Sequence, residues 1–221
     1  MEPYKQIRKI YSRTAENYDK FWDFYSVPSY SKTLARINLQ EDSKVLDLGC
    51  GTGELLKILE DLFPSSELTG IDLTEEMLAI AKQKLSNKVK LFLGSATSLP
   101  FDSKSFDWVI MSNMIGHLSD KKAVLKEAHR VLKNLGKIVI TDWTRDFQTM
   151  NLVHFYTKLI NYSQYRSLRS AELESLLDDC DFDHLHTESY KINWFWGLYT
   201  IQAEKKKVYP MKNSSRGVCS F

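Results

Sequence analysis

The 221-residue sequence predicts an α/β fold, with a mostly parallel seven-stranded sheet, helices on both faces and a C-terminal antiparallel hairpin. Two observations lead to this prediction. Between about residues 45 and 142, short apolar runs alternate with segments whose apolar residues recur at helical spacing. Further on, the strand-like segments 184–193 and 199–204 are joined by a short turn. Parallel βα units have right-handed crossovers, and ligands bind at the carboxyl edge of such sheets.

The first predicted strand runs into a glycine-rich turn. Residues 45–54 read VLDLGCGTGE, so an apolar strand is followed by Gly49, Gly51 and Gly53 and then by Glu54. Glycines allow a sharp turn and the close approach of a ligand. A dinucleotide-binding turn has its third glycine where Glu54 stands, and this carboxylate would repel a phosphate at the helix N-terminus. The turn therefore favours a cofactor that carries no phosphate and some positive charge, such as a sulfonium.

The second strand, 67–71, is followed by Asp72. A carboxylate at this place can accept two hydrogen bonds from a ribose diol. Asp72 could instead serve as an acid at the start of the next helix, for which Thr74 is the predicted N-cap. Met77 lies in the first turn of that helix, where it could be core or contact a cofactor. Both alternatives stay open at this point.

Three further segments complete the parallel pattern. The third strand, 89–93, is followed by the loop 94–96, and the fourth strand is the mostly apolar segment 106–112. Ser119 is predicted to cap a helix that ends at Gly136, and 137–142 is predicted as the fifth strand.

In this order and at these intervals, the motifs resemble those of class I S-adenosylmethionine-dependent methyltransferases. The resemblance is carried by 45–53, 68–73, 93–101, and 106–112 followed by 130–140, and it is close over about residues 10–143. The nearest group is the small-molecule type related to the ubiquinone/menaquinone C-methyltransferases, with a type 11 methyltransferase domain. The resemblance implies a Rossmann-like sheet, S-adenosyl-L-methionine as cofactor, and methyl transfer to an O, N or C atom of a small molecule.

The resemblance also implies a set of cofactor-binding residues around the glycine turn. Tyr18 belongs to an AENYD segment that is similar to a motif whose tyrosine lies near the cofactor, and Ser95 stands where many relatives carry an acid for the adenine amino group. Ser95 is weaker in that role, which puts the affinity in doubt. The expected cofactor-binding residues are Tyr18, Asp47, Gly49, Gly51, Gly53, Asp72, Leu73, Met77, Ser95, Ala96, Asn113 and Met114.

Substrate is expected beneath two aromatic segments, an N-terminal helical lid (1–39) and an insertion (144–169). The second helix of the lid is predicted to begin after Pro28. They would enclose an apolar chamber for an aromatic, lipid-like or amine acceptor. His117 is the candidate general base, because its charge can change near neutral pH. It could equally cap or pack beside the following helix, just as the aromatic residues could simply pack on one another. The candidate substrate residues are Tyr11, Trp22, His117, Trp143, Phe155 and Tyr156.

Composition limits the remaining possibilities. A net charge of +2 gives no electrostatic case for nucleic acid, and three widely spaced cysteines indicate a reducing compartment, so a cytoplasmic protein without a metal site is expected. No signal peptide and no membrane-spanning segment are predicted. We expect a single domain over 1–205 and a polar tail over 206–221. Two alternatives are a catalytically silent cofactor-binding partner subunit and an RNA-modifying methyltransferase, although the latter lacks a basic stripe.

Overall fold

The computed structural model of the chain describes residues 3–159 and 165–207. Within these residues one seven-stranded sheet is formed, with the order β3-β2-β1-β4-β5-β7-β6. Its strands are β1 (Lys44–Leu48), β2 (Glu67–Asp72), β3 (Lys90–Leu93), β4 (Phe106–Ser112), β5 (Leu132–Trp143), β6 (Phe182–Lys191) and β7 (Gly197–Lys205). The first five strands pair in parallel, and β7 is antiparallel to both β5 and β6. The predicted fold class, including the final hairpin, is confirmed.

Helices cover both faces of the sheet. They are α1 (Pro3–Thr14), α2 (Tyr18–Leu34), α3 (Glu54–Leu62), α4 (Glu75–Lys84), α5 (Lys121–Val131), α6 (Gln148–Leu159) and α7 (Ser170–Asp178). One apolar core joins the sheet to α5 and α7, and another joins it to α3 and α4. In β1, Val45 belongs to the core of α3 and α4, while Leu46 and Leu48 belong to the opposite core. This alternation follows from the two-residue period of a strand.

The N-terminal segment differs from the sequence prediction in its second helix. That helix was expected to begin after Pro28, but α2 begins at Tyr18 and continues through Pro28. Proline removes one backbone donor and usually breaks a helix. Here the helix is fixed by side-chain bonds on either side of the proline, from the Ser26 hydroxyl to the Trp22 carbonyl (2.9 Å) and from the Thr33 hydroxyl to the Ser29 carbonyl (2.9 Å). Thr33 also bonds Thr141 of β5 at 2.7 Å, which attaches α2 to the sheet.

The connection from α5 to β5 also differs. The N-cap is Asp120 rather than Ser119, because its carboxylate accepts the Ala123 backbone N–H at 2.9 Å. The helix ends at Val131, and β5 begins at the next residue instead of after Gly136. Between its first pairing, with Phe106, and its regular pairing with β4, the strand is irregular, and Leu135 has a φ of 62° there. The residues that the sequence prediction assigned to the end of the helix therefore belong to this irregular part of β5.

The predicted cover segments are partly described. The lid region 1–39 contains α1 and α2, and the insertion 144–169 contains α6, with residues 160–164 outside the described part. Of the predicted tail, residues 208–221 lie outside it as well. Across 3–159 and 165–207, none of the helices combines the length and the apolar character needed to cross a membrane.

Candidate active site

A cleft opens at the carboxyl ends of β1, β2 and β4, the edge at which the sequence places its ligand residues. The free space between its walls is about 960 Å³, including the part open to solvent. The wall is formed by Tyr11, Tyr18, Tyr30, Gly49, Cys50, Gly51, Thr52, Ile71, Asp72, Leu73, Thr74, Met77, Gly94, Ser95, Ala96, Thr97, Ser112, Asn113, Met114, His117 and Leu118.

The three glycines of the turn have different reasons to be glycine, although all have positive φ (70°, 54° and 80°). A Cβ on Gly53 would lie 2.9 Å from a Leu85 methyl and 3.0 Å from the Ala81 Cβ, so this glycine permits α3 and α4 to pack. A Cβ on Gly51 would meet no protein atom within 4 Å. Since Gly51 lines the cleft and Gly53 does not, the space beside Gly51 is left for a ligand.

The position of Asp72 is compatible with both of the roles that the sequence left open. Its carboxylate accepts the Gly51 N–H at 2.9 Å and the Thr74 N–H at 2.8 Å, and it also forms part of the cleft wall. Burial raises the pKa of this carboxyl above its ordinary value, and the backbone hydrogen bonds oppose that shift. Asp72 therefore supports the glycine turn and the start of α4 while presenting acceptor oxygens beside the cleft.

Asp47 and Gly53, two of the expected cofactor-binding residues, do not form part of the cleft wall. Asp47 lies within β1 and is only 2% exposed. Burial, followed by the nearby charge of Asp72, raises the pKa of Asp47 to about 8. Periodicity assigned both residues correctly to the strand and the turn, but it does not indicate which way a side chain or a missing side chain faces.

The loop after β3 contributes Ser95 and Ala96 to the wall, as expected, and Leu73 and Met77 line it from the start of α4. The Ser95 hydroxyl is already engaged: it bonds the Thr97 hydroxyl at 2.8 Å and accepts the Thr97 N–H at 3.3 Å. A ligand that needs a donor or acceptor from Ser95 must compete with this local pair.

The loop after β4 is fixed by contacts from two sides. Asn113 has a φ of 55° and donates its backbone N–H to the Thr141 carbonyl at 2.7 Å. Its side-chain amide donates to the Ser29 hydroxyl of α2 at 3.0 Å. Met114 packs against the glycine turn, where a Cβ on Gly49 would approach its sulfur to 2.8 Å. Asn113 and Met114, two of the expected cofactor-binding residues, both line the cleft.

His117 lines the cleft next to the lid. Its Nε2 and the Tyr11 hydroxyl are 2.9 Å apart, and its ring lies edge-to-face with Tyr165 at a centroid separation of 4.7 Å. Burial, together with the nearby charge of Lys121, lowers the pKa of His117 to about 4. The imidazole is therefore neutral at pH 7, and it is a weaker proton acceptor than an ordinary histidine.

The other predicted substrate residues lie outside the cleft wall. Trp22 and Trp143 belong to an aromatic cluster, with centroids 6.2 Å apart, in which Trp143 also packs 4.7 Å from Trp196. Phe155 and Tyr156 of α6 are 67% and 60% exposed. Of the six candidates, Tyr11 and His117 line the described cleft, whereas Trp22 and Trp143 pack against other aromatic rings and Phe155 and Tyr156 are exposed on α6.

Sequence reasoning missed several residues of the wall, among them Tyr30 and Thr52. Thr52 lies inside the glycine turn, so the motif itself could have indicated that Thr52 lines the cleft. Its hydroxyl donates to the Asp19 carboxylate of α2 at 2.5 Å, a contact that no local pattern reveals. Tyr30 lies 12 residues beyond Tyr18 along α2, about 120° further around the helix at 3.6 residues per turn, so helical spacing does not place the two tyrosines on one face.

The order of the seven strands is that of the Rossmann-like methyltransferases. The glycine turn after β1 and the acid at the end of β2 also belong to this class. A family model described as a methyltransferase domain matches residues 46–140. A demethylmenaquinone methyltransferase of Geobacillus kaustophilus is 30% identical over 191 residues, covering 77% of this chain and 82% of that protein. The chain therefore belongs to the family of S-adenosylmethionine-dependent methyltransferases.

Two proteins of Thermotoga maritima agree with this assignment. A demethylmenaquinone methyltransferase is 29% identical over 208 residues, covering 86% of this chain and 90% of that protein. A solved structure described as a SAM-dependent methyltransferase superposes with a TM-score of 0.76 at 20% identity, covering 90% of this chain and 99% of that one. The second likeness concerns the fold alone.

Proposed function

We propose that the cleft binds S-adenosyl-L-methionine and that the chain transfers the cofactor's methyl group to a small molecule with an apolar ring. One observation carries the proposal: the Asp72 carboxylate and the empty space beside Gly51 lie together at the carboxyl edge of the sheet. A ribose diol can donate to Asp72, and the adjoining amino-acid part of the cofactor can approach the backbone of Gly49 and Gly51. Leu73, Met77, Ser95 and Ala96, which also line the cleft, would border the adenine.

The charge distribution supports a sulfonium cofactor rather than a dinucleotide. Glu54, the first residue of α3, stands where a pyrophosphate would rest. It is held by Lys84, which also pairs with Asp19. With Asp19 and Asp72 also at the turn, the acids outnumber this lysine, and a phosphate would be repelled.

The acceptor is proposed to be an aromatic ring of the quinol type, methylated at carbon. Tyr11, Tyr18 and Tyr30 of the lid form part of the cleft wall, and their rings suit an aromatic or apolar ligand. The relatives in the comparison carry the name demethylmenaquinone methyltransferase, which favours this acceptor over an amine.

In the reaction, the bound cofactor supplies an electrophilic methyl group. The residues of the chain align the acceptor and exclude water, effects that can contribute roughly 7–11 kcal/mol in favourable cases. Tyr11 and His117 form a hydrogen-bonded pair at the cleft wall, where they can orient an acceptor hydroxyl. His117 remains the candidate base. It is neutral at pH 7 and able to accept a proton, and its pKa of about 4 makes lasting protonation unfavourable.

Two measurements test the proposal. Isothermal titration should give a micromolar dissociation constant for S-adenosylhomocysteine and no heat with NAD. Transfer of a labelled methyl group should be detected with reduced, demethylated naphthoquinones and be absent with amines. Binding of NAD without binding of S-adenosylhomocysteine refutes the cofactor assignment. Binding of S-adenosylhomocysteine with transfer only to amines refutes the acceptor assignment.

A further inference from the structure

The lid is fastened to the glycine turn by a small network of charged and polar side chains, here named the clasp and defined as Asp19, Thr52, Glu54 and Lys84. The Thr52 hydroxyl donates to one Asp19 oxygen at 2.5 Å. The Lys84 ammonium donates to the other Asp19 oxygen and to Glu54. One lysine at the end of α4 therefore links the first turn of α2 to the first residue of α3.

The clasp lies directly beside two residues of the cleft wall. Thr52 is itself part of the wall and is 3% exposed, so its hydroxyl has little access to water as an alternative partner. Asp19 follows Tyr18, the wall residue at the start of α2. Fixing Asp19 therefore restrains the position of Tyr18 relative to the glycine turn. Because Tyr18 and Thr52 line the same cleft, moving the lid away from the turn requires the clasp contacts to break.

The clasp consists mainly of charged side chains that are only partly buried. The side chains of Lys84, Asp19 and Glu54 are 25%, 34% and 39% exposed. Partial burial lowers the pKa of Lys84, but its hydrogen bonds to Asp19 and Glu54 outweigh burial and raise it above the ordinary value. Without the lysine, two carboxylates would face each other across the junction of lid and turn, and like charges at such a distance repel.

We infer that Asp19 and Lys84 are positioning residues that set how fast the cofactor and its demethylated product leave the cleft, acting through Tyr18 and Thr52. This inference rests on the proposed function, because it concerns the ligand of the same cleft. The contacts are charged and partly exposed, so the clasp is weakened by salt and can open without unfolding the sheet. Release of the product is then governed by an electrostatic contact outside the reacting atoms.

The test measures the dissociation rate of S-adenosylhomocysteine by stopped-flow displacement, using the intrinsic tryptophan signal of the full chain. Lys84→Met should accelerate dissociation about fivefold at low salt, an effect between that of an exposed and a buried ion pair. Asp19→Asn should act in the same direction, because it removes the acceptor charge that holds Lys84. Lys84→Arg should restore most of the wild-type rate. The matched control is Lys57→Met, which removes the exposed Lys57–Asp61 pair of α3 and does not touch the lid.

The salt dependence of the dissociation rate distinguishes a clasp that controls release from a contact that is only structural. The wild-type dissociation rate should rise between 50 and 500 mM salt, about the range over which screening of exposed charges becomes nearly complete. The Lys84→Met rate should change much less over the same range. The inference is overturned if the wild type binds S-adenosylhomocysteine but releases it at the same rate as Lys84→Met. It is also overturned if Lys84→Met has a lower melting temperature and an unchanged dissociation rate. A wild-type chain that does not bind S-adenosylhomocysteine instead refutes the proposed function.

Discussion

Gly51 and Gly53 offer a matched pair of substitutions, because both have positive φ but face different surroundings. An alanine with left-handed backbone costs roughly 1–2 kcal/mol at either position. At Gly53 the new Cβ also meets Leu85 at 2.9 Å and Ala81 at 3.0 Å, and such overpacking adds about 1–3 kcal/mol. At Gly51 no protein atom lies within 4 Å of the new Cβ, so no packing cost is added.

The two variants should therefore differ in the property that they mainly lose, which is affinity in Gly51→Ala and stability in Gly53→Ala. Gly51→Ala should lower the melting temperature by about 2–8 °C, since 1 kcal/mol corresponds to about 2–4 °C in a chain of this size, and it should weaken S-adenosylhomocysteine binding more than about tenfold. Gly53→Ala should lose more stability and retain more affinity. Differential scanning fluorimetry and isothermal titration measure the two quantities. Unchanged affinity of Gly51→Ala, or a smaller loss of stability in Gly53→Ala than in Gly51→Ala, would refute the reasoning.

Three further predictions concern the ionisable residues. Asp72→Ala should weaken S-adenosylhomocysteine binding by roughly 1.5–3 kcal/mol in titration calorimetry, and it should lower the stability of the free protein as well, because it removes the acceptor of two backbone N–H groups. Asp47 has a pKa of about 8 in the folded state, well above its unfolded value, so it binds a proton in the folded chain that the unfolded chain has lost. Its contribution to stability should decline as pH rises from about 4 to about 8, and Asp47→Asn should flatten that decline in denaturant titrations. His117, with a pKa of about 4, has the opposite sign: stability present above about pH 6.5 should be lost as pH falls towards 4, and less so in His117→Gln.

Each of these predictions has a clear opposite outcome. An Asp72→Ala variant with wild-type affinity and a large loss of stability would assign Asp72 to the helix start alone. Parallel stability curves for wild type and Asp47→Asn between pH 4 and 8 would mean that Asp47 titrates as an ordinary carboxyl. For His117, the informative quantity is the difference between variant and wild type, since other buried acids also titrate over this range. A difference that does not change between pH 6.5 and 4 would contradict the lowered pKa.

The sequence predicted the elements that depend on local pattern. The strand before Gly49, the turn itself and the acid after β2 are encoded by consecutive residues, and the structure places Gly49, Gly51 and Asp72 in one cleft wall. The course of α2 through Pro28 could not be predicted, because it depends on side-chain bonds and on an attachment to β5 that is distant in sequence. Local rules favour a break at that proline.

The substrate side of the site was the harder part for the same reason. Trp143 was expected in the chamber because it follows the predicted fifth strand (137–142), but it packs against Trp22 and Trp196, which come from distant parts of the chain. Aromatic composition shows that rings will cluster, and only tertiary structure shows whether they leave a cavity among them. The contact between Thr52 and Asp19 is likewise invisible to sequence spacing.

A crystal structure of the chain with S-adenosylhomocysteine tests the central proposal most directly, because it locates the ligand rather than its effects. We predict that a ribose hydroxyl lies within about 3.2 Å of an Asp72 oxygen, the usual range of such hydrogen bonds, and that the ligand occupies the space beside Gly51. A bound ligand elsewhere on the chain, with the Gly51 space and the Asp72 carboxylate uncontacted, would contradict it.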